Sequence, residues 1–166
     1  MHCIVLDTSF FLDLLEQKES ISRFSDFLQS EERVIVQLLR DEVKKGNIEE
    51  FERRAKRIMP RSLLYKFKLS IRLKGYEDIR KRMCTETEDR EVLIKIRRFF
   101  ELGEDIGDIY KELKSDAFLL IAAYWKTKGC KGVTILTKDS DAKDRIESAL
   151  KNMREHEWAN KIRVST

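Results

Sequence analysis

An α/β fold with a mainly parallel sheet is the class that this sequence predicts. Two observations carry the prediction. Short apolar runs containing β-branched residues, at 3–6, 34–36 and 133–136, have the length and continuity of strands buried on both faces. Between them lie stretches of helical apolar spacing, so strands alternate with helices along the chain. The 166 residues suit a single domain with a substantial core and are short for two.

Each element follows from local chemistry. Residues 3–6 form the first strand. A helix starts near Ser9 with Phe10, Phe11, Leu14 and Leu15 on its inner face. Ser20 is placed to cap a second helix, whose apolar face is Ile21, Phe24, Phe27 and Leu28. After the second apolar run, Leu38, Leu39 and Val43 keep helical spacing up to Gly46, which reads as a C-cap. From Ile48 to Phe100 the pattern is helical nearly throughout, broken at Pro60 and ended once at Gly75. Thr85 and Glu88 have capping-box spacing for a further helix with Val92, Ile96 and Phe99 inward. Gly103 and Gly107 mark a loop. A long helix then runs from about Asp108 or later to Lys128 and stops at Gly129. Ser140 opens the next helix, carrying Ile146 and Leu150, and residues 162–164 read as a last edge strand. The stretch of about 47–104 reads as a helical insertion in the α/β core.

Composition narrows the function classes. The chain is 42% hydrophobic and 39% charged, a globular balance with a heavily charged surface. No apolar run approaches a membrane span, and the chain enters its first strand without a basic leader, so a cytoplasmic protein is expected. Cys3, Cys84 and Cys130 are odd in number and scattered. They show neither a disulfide framework nor a zinc ribbon and are read as buried free thiols. His2 and His156, both near the termini and read as surface residues, are too few for histidine-based hydrolysis. The glycines are isolated, so there is no phosphate-binding glycine loop, and no nucleophile-elbow motif occurs.

Charge is unevenly distributed. Residues 53–82 hold twelve Lys or Arg against two acids, a net +10, which leaves about −6 for the rest of a chain whose total is +4. Arg53, Arg54, Arg57, Arg61, Lys66, Lys68, Arg72 and Lys74 lead this stretch, interleaved with Tyr65, Phe67 and Tyr76. Such self-repulsion points to a polyanionic partner, RNA or an acidic protein. The aromatics read as part of an amphipathic helix with Leu63, Leu64, Phe67 and Ile71 inward.

The acids mark the opposite pole. Asp7 closes the first apolar run, and Glu42 follows the second. Asp116 opens the apolar stretch Asp-Ala-Phe-Leu-Leu-Ile-Ala-Ala. Asp139 follows the third run, with Asp141 two residues on. Taken singly, each also fits a helix cap or a solvated surface acid. Asp108 and Glu112, spaced with Asp116 along one helix face, read as an exposed ridge. Taken together, the four positions matter more. Strand C-termini in a parallel sheet share one edge, and converging carboxylates there call for a hard divalent cation.

The motifs carrying this pattern resemble those of the PIN-domain nucleases. "IVLDTSFFLDLL" looks like the family's first motif, "VIVQLLRDEVKKG" its second, "SDAFLLIAA" its third and "VTILTKDSDAK" its fourth, spanning the chain from end to end. The resemblance implies a PIN-like parallel sheet flanked by helices, with the helical insertion between the second and third acidic motifs. It assigns the catalytic quartet to Asp7, Glu42, Asp116 and Asp139, and Mg²⁺ or Mn²⁺ ligation to Asp7, Asp116, Asp139 and Asp141. Thr8 or Thr137 would orient these groups. The implied activity is endoribonucleolytic hydrolysis of RNA, leaving a 5′-phosphate and a 3′-hydroxyl. Toxin-type and RNA-processing roles both fit, with an antitoxin-like acidic protein as a further partner and a homodimer compatible. The alternative is a non-catalytic RNA-binding or ribonucleoprotein-assembly module on the same fold. This chain departs from the pattern in three places. Gln37 stands where many members have proline, Asp41 competes with Glu42, and the stretch between Glu42 and Asp116 is long.

Overall fold

The central strand, β1 (His2–Leu6), is buried on both faces, and the other elements are arranged around it. The computed structural model describes residues 2–16, 21–22, 24–25, 34–39, 45–62, 71–74, 81–82, 84–85, 88–101 and 115–166. In chain order these give β1, α1 (Thr8–Glu16), β2 (Val34–Leu39), α2 (Lys45–Ile58), β3 (Ile71–Lys74), α3 (Arg90–Glu101), α4 (Ser115–Thr127), β4 (Gly132–Leu136), α5 (Ser140–Asn152), α6 (Glu157–Asn160) and β5 (Ile162–Ser165). The strands form one sheet in the order β3-β2-β1-β4-β5, and every pairing is parallel. The α/β class with a parallel sheet is as the sequence predicts.

Alternation along β1 divides the core. Ile4 and Leu6 pack with Phe10, Phe11 and Leu14 of α1 and with Phe51 and Ala55 of α2. Cys3 and Val5 face the other way, into Leu93 and Ile96 of α3, the apolar run of α4, and Ile146 and Ala149 of α5. The period of two thus sends successive side chains into two helical layers. Burying side chains such as Phe11 contributes roughly 1.5–3 kcal/mol each.

Several local expectations are corrected. β2 extends through Leu39, so Leu38 and Leu39 are in the sheet, and Gly46 lies in the first turn of α2 rather than at a helix end. Two adjacent leucines suit a buried strand as well as a helix face, and pairing with β1 decides for the strand. Residues 71–74 are β3, an edge strand parallel to β2, within a stretch expected to be helical. The alternation Ile-Arg-Leu-Lys has the period of two that a strand requires. α2 does end just before Pro60, with helical backbone resuming at Arg61. The Thr85–Glu88 capping box does not form. The Thr85 hydroxyl donates to the Lys81 and Arg82 carbonyls, and α3 begins at Arg90.

Cys3 and Cys130 are joined as a disulfide, with Cα atoms 6.0 Å apart, and the free Cys84 is exposed. Buried free thiols are therefore the wrong reading for all three. His2 and His156 are partly buried: His2 Nε2 bonds Thr134 Oγ1 at 2.8 Å, and His156 Nε2 bonds Lys95 Nζ at 2.9 Å. Among the described residues, no helix is long and apolar enough to cross a membrane. Residues 102–114, and with them Asp108 and Glu112, lie outside the described residues.

Candidate active site at the sheet edge

The strand order places a topological switch point beside β1. From β1 the chain winds outward through β2 and β3, then returns to β4 on the other side of β1. The crevice beyond the C-terminal ends of β1 and β4 is where open α/β sheets bind ligands. Asp7 directly follows β1, and Thr137, Lys138 and Asp139 follow β4. The sheet bonding continues one step past both strands: Asp7 N donates to Leu136 O at 2.9 Å, and Thr137 N donates to Ser165 O at 3.0 Å. That continuation fixes the backbone from which both acids project.

Asp7 is only 7% exposed. Its carbonyl accepts the first helical bonds of α1, from Phe10 N and Phe11 N, both at 3.1 Å. Its carboxylate does something else. Oδ2 accepts from Thr137 Oγ1 at 2.6 Å and from Ser9 Oγ at 2.8 Å. Ser9 Oγ in turn accepts from Lys138 N at 3.0 Å, and Thr137 Oγ1 from Asp139 N at 3.1 Å. The helix-cap reading of Asp7 therefore fails at the side chain, whose described partners are two hydroxyls. Both hold Oδ2. Among the described residues, no cation is ion-paired with this buried carboxylate. In the sequence, Thr137 is named, with Thr8, only through the resemblance of the motifs that hold them. Ser9 reads there only as a helix start.

Asp139 is exposed and caps α5, its Oδ1 accepting from Asp141 N at 3.0 Å and Ala142 N at 3.1 Å. The ordinary turn reading is thus correct for one of its oxygens, while Oδ2 takes no part in the cap. Asp141 is exposed in the first turn of α5. Asp116, in the first turn of α4, is 2% exposed, so it is no member of an exposed ridge. Its Oδ2 accepts from Arg145 Nε at 2.5 Å. The Asp116 hydrogen bond raises the Arg145 pKa above its ordinary value against the opposing effect of burial, and the charges of Asp116, Asp139 and Asp141 add to the rise. Arg145 therefore ties Asp116 electrostatically to the two acids of α5. The acidic motifs do not point to Arg145, although its spacing of four from Asp141 on one helix face is a usable signal.

Thr137 thus links the Asp7 carboxylate to the backbone of Asp139, and Arg145 lies within electrostatic reach of Asp116, Asp139 and Asp141. Glu42 and its competitor Asp41 lie outside the described residues. The donor chemistry fits Mg²⁺ or Mn²⁺, which take hard oxygen ligands and retain several waters. Among the described residues, however, no three Asp, Glu, His or Cys side chains are grouped as a metal-holding set. The charge at Asp116 is met by arginine instead.

The predicted RNA-binding residues are only partly described. Arg53, Arg54 and Arg57 lie on the exposed face of α2, opposite buried Phe51 and Ala55, and Arg61 is exposed beyond Pro60. Arg54 pairs with Glu50 at 3.0 Å. Arg72 and Lys74 stand two apart on β3. Lys66 and Lys68 lie outside the described residues. A groove of about 760 Å³, unforeseen from sequence, opens between α5 and β5, lined in part by Lys151, Arg154 and Arg163. In comparisons with known proteins, the chain matches no family model, no curated protein and no solved structure.

Proposed function

We propose that this protein is a Mg²⁺- or Mn²⁺-dependent endoribonuclease acting at the sheet edge. The observation that supports it most is Asp7: a carboxylate nine-tenths buried at the switch point, oriented by two hydroxyls, with no described cation paired to it. Burying such a charge is costly unless an opposite charge completes the site. In this reading Asp7, Asp116, Asp139 and Asp141 hold the metal, and Glu42 completes the catalytic quartet. The ion would activate water and polarise the phosphodiester. Ser9 and Thr137 keep Asp7 in one rotamer, so that little reorganisation accompanies each turnover. The exposed arginines of α2 would hold the RNA backbone through its phosphates.

A second reading has its own support. Arg145 already meets the charge of Asp116, which also suits a fold that binds RNA without cutting it. One experiment separates the two. A mixed-sequence single-stranded RNA is incubated with purified protein in Mn²⁺ or Mg²⁺, with EDTA as control, and the product ends are analysed. The nuclease reading predicts metal-dependent fragments bearing 5′-phosphates. RNA binding with intact RNA in either metal would favour the binding module.

A further inference from the structure

Arg145 is not among the residues that the acidic pattern singles out, yet among the described residues it is the ion-pair partner of Asp116. Its guanidinium comes from the second turn of α5, the helix that Asp139 caps and whose first turn carries Asp141. It reaches across to Asp116 on α4, joining Nε to Oδ2 at 2.5 Å. Asp116 is almost fully buried, whereas the Arg145 side chain is 42% exposed. The pair is therefore asymmetric. The acid is fixed in the protein, and the base has solvent on one side. A guanidinium keeps its charge throughout the physiological pH range, so it leaves a carboxylate only by swinging away.

We propose that Arg145 is a resident counter-cation, which neutralises Asp116 in the metal-free protein and swings out when a divalent cation binds. The inference rests on the metal-site reading above. A divalent ion and a guanidinium repel each other and compete for the same carboxylate oxygen. With Arg145 in place, the charge of Asp116 is met without a metal. Arg145 would then set how much Mg²⁺ or Mn²⁺ the protein needs, and would stabilise the fold when the ion is scarce. It is a positioning residue and takes no part in the chemistry.

The test is direct metal binding, without RNA. Arg145→Met removes the charge and keeps an unbranched apolar stem, whereas Arg145→Lys retains the charge. Mn²⁺ affinity is measured by calorimetry on each folded full-length protein. Arg145→Met should bind Mn²⁺ at least about tenfold more tightly than wild type, as expected from removing one nearby positive charge, and Arg145→Lys should stay close to wild type. In the wild-type protein, an NMR titration with diamagnetic Mg²⁺ should move the Arg145 Nε–Hε signal to the position of a free arginine. That arm stands alone if Arg145→Met does not fold. Equal or weaker Mn²⁺ binding by Arg145→Met, or an Hε signal unmoved at Mg²⁺ saturation, overturns the proposal. If wild type binds Mn²⁺ and Arg145→Met binds it no better, only the role of Arg145 falls. If neither binds, the metal-site reading falls with it.

Discussion

Thr137→Val tests whether the Asp7 cradle is as tightly built as its distances indicate. The substitution keeps the branched shape and removes one hydroxyl from a residue with 0% exposure. Two hydrogen bonds go with it, together with a 3.2 Å contact to Ser9 Oγ that adds little while both hydroxyls donate to Asp7 Oδ2. The bond to Asp7 Oδ2, at 2.6 Å, is to a charged acceptor and contributes about 1.5–3 kcal/mol. The bond from Asp139 N, at 3.1 Å, is a neutral one of about 1 kcal/mol. The added methyl offsets about 0.8 kcal/mol through burial. The net loss should be about 2–3 kcal/mol, which for a chain of this size lowers Tm by about 4–12 °C. The assay is urea and thermal unfolding in EDTA, so that metal binding does not contribute. Thr137→Ser, which restores the hydroxyl, should recover most of the loss. In an Asp7→Asn background the acceptor is neutral, and the cost of Thr137→Val should fall by about 1 kcal/mol. A Thr137→Val protein within about 0.5 kcal/mol of wild type would refute the cradle.

Two further predictions concern other parts of the molecule. Replacing Arg53, Arg54, Arg57 and Arg61 by Gln should weaken binding to single-stranded RNA across sequences and flatten its salt dependence, by about 0.7 in log–log slope for each phosphate no longer neutralised. Unchanged affinity and slope would move the basic stretch to another role, such as binding a protein. Protein purified without reductant should show one titratable thiol under denaturing conditions, from Cys84, and three after reduction. Three thiols before reduction would contradict the Cys3–Cys130 pairing.

The parts of the fold that are legible in sequence are those with a single physical reading. β1 and β4 are inner strands of the sheet, so they appear as short, largely apolar runs, and Asp7 and Asp139, which follow them, lie beyond their C-terminal ends. β3 is hidden because Ile71 also satisfies a helical face built on Leu63, Leu64 and Phe67, and only pairing with β2 decides between the periods. Leu38 and Leu39 are ambiguous for the same reason. The Cys3–Cys130 pairing spans 127 residues, a separation that no local spacing reveals. Within the site, acid type and strand position point to Asp7, Asp116 and Asp139. Hydroxyl and guanidinium partners such as Ser9 and Arg145 depend on how α1, α4 and α5 meet, which periodicity does not specify.

Single-turnover cleavage of a labelled single-stranded RNA by wild type and Asp7→Asn, repurified in parallel, tests the central claim most directly. Asparagine preserves the shape of the residue while removing the charge that would hold the metal. The wild-type rate should rise with Mn²⁺ and vanish in EDTA. Asp7→Asn should remain folded and lose on the order of 10²-fold or more in rate, as removal of a charge-stabilising group does. Equal rates in the two proteins would assign the activity to a contaminant and contradict a nuclease built on Asp7.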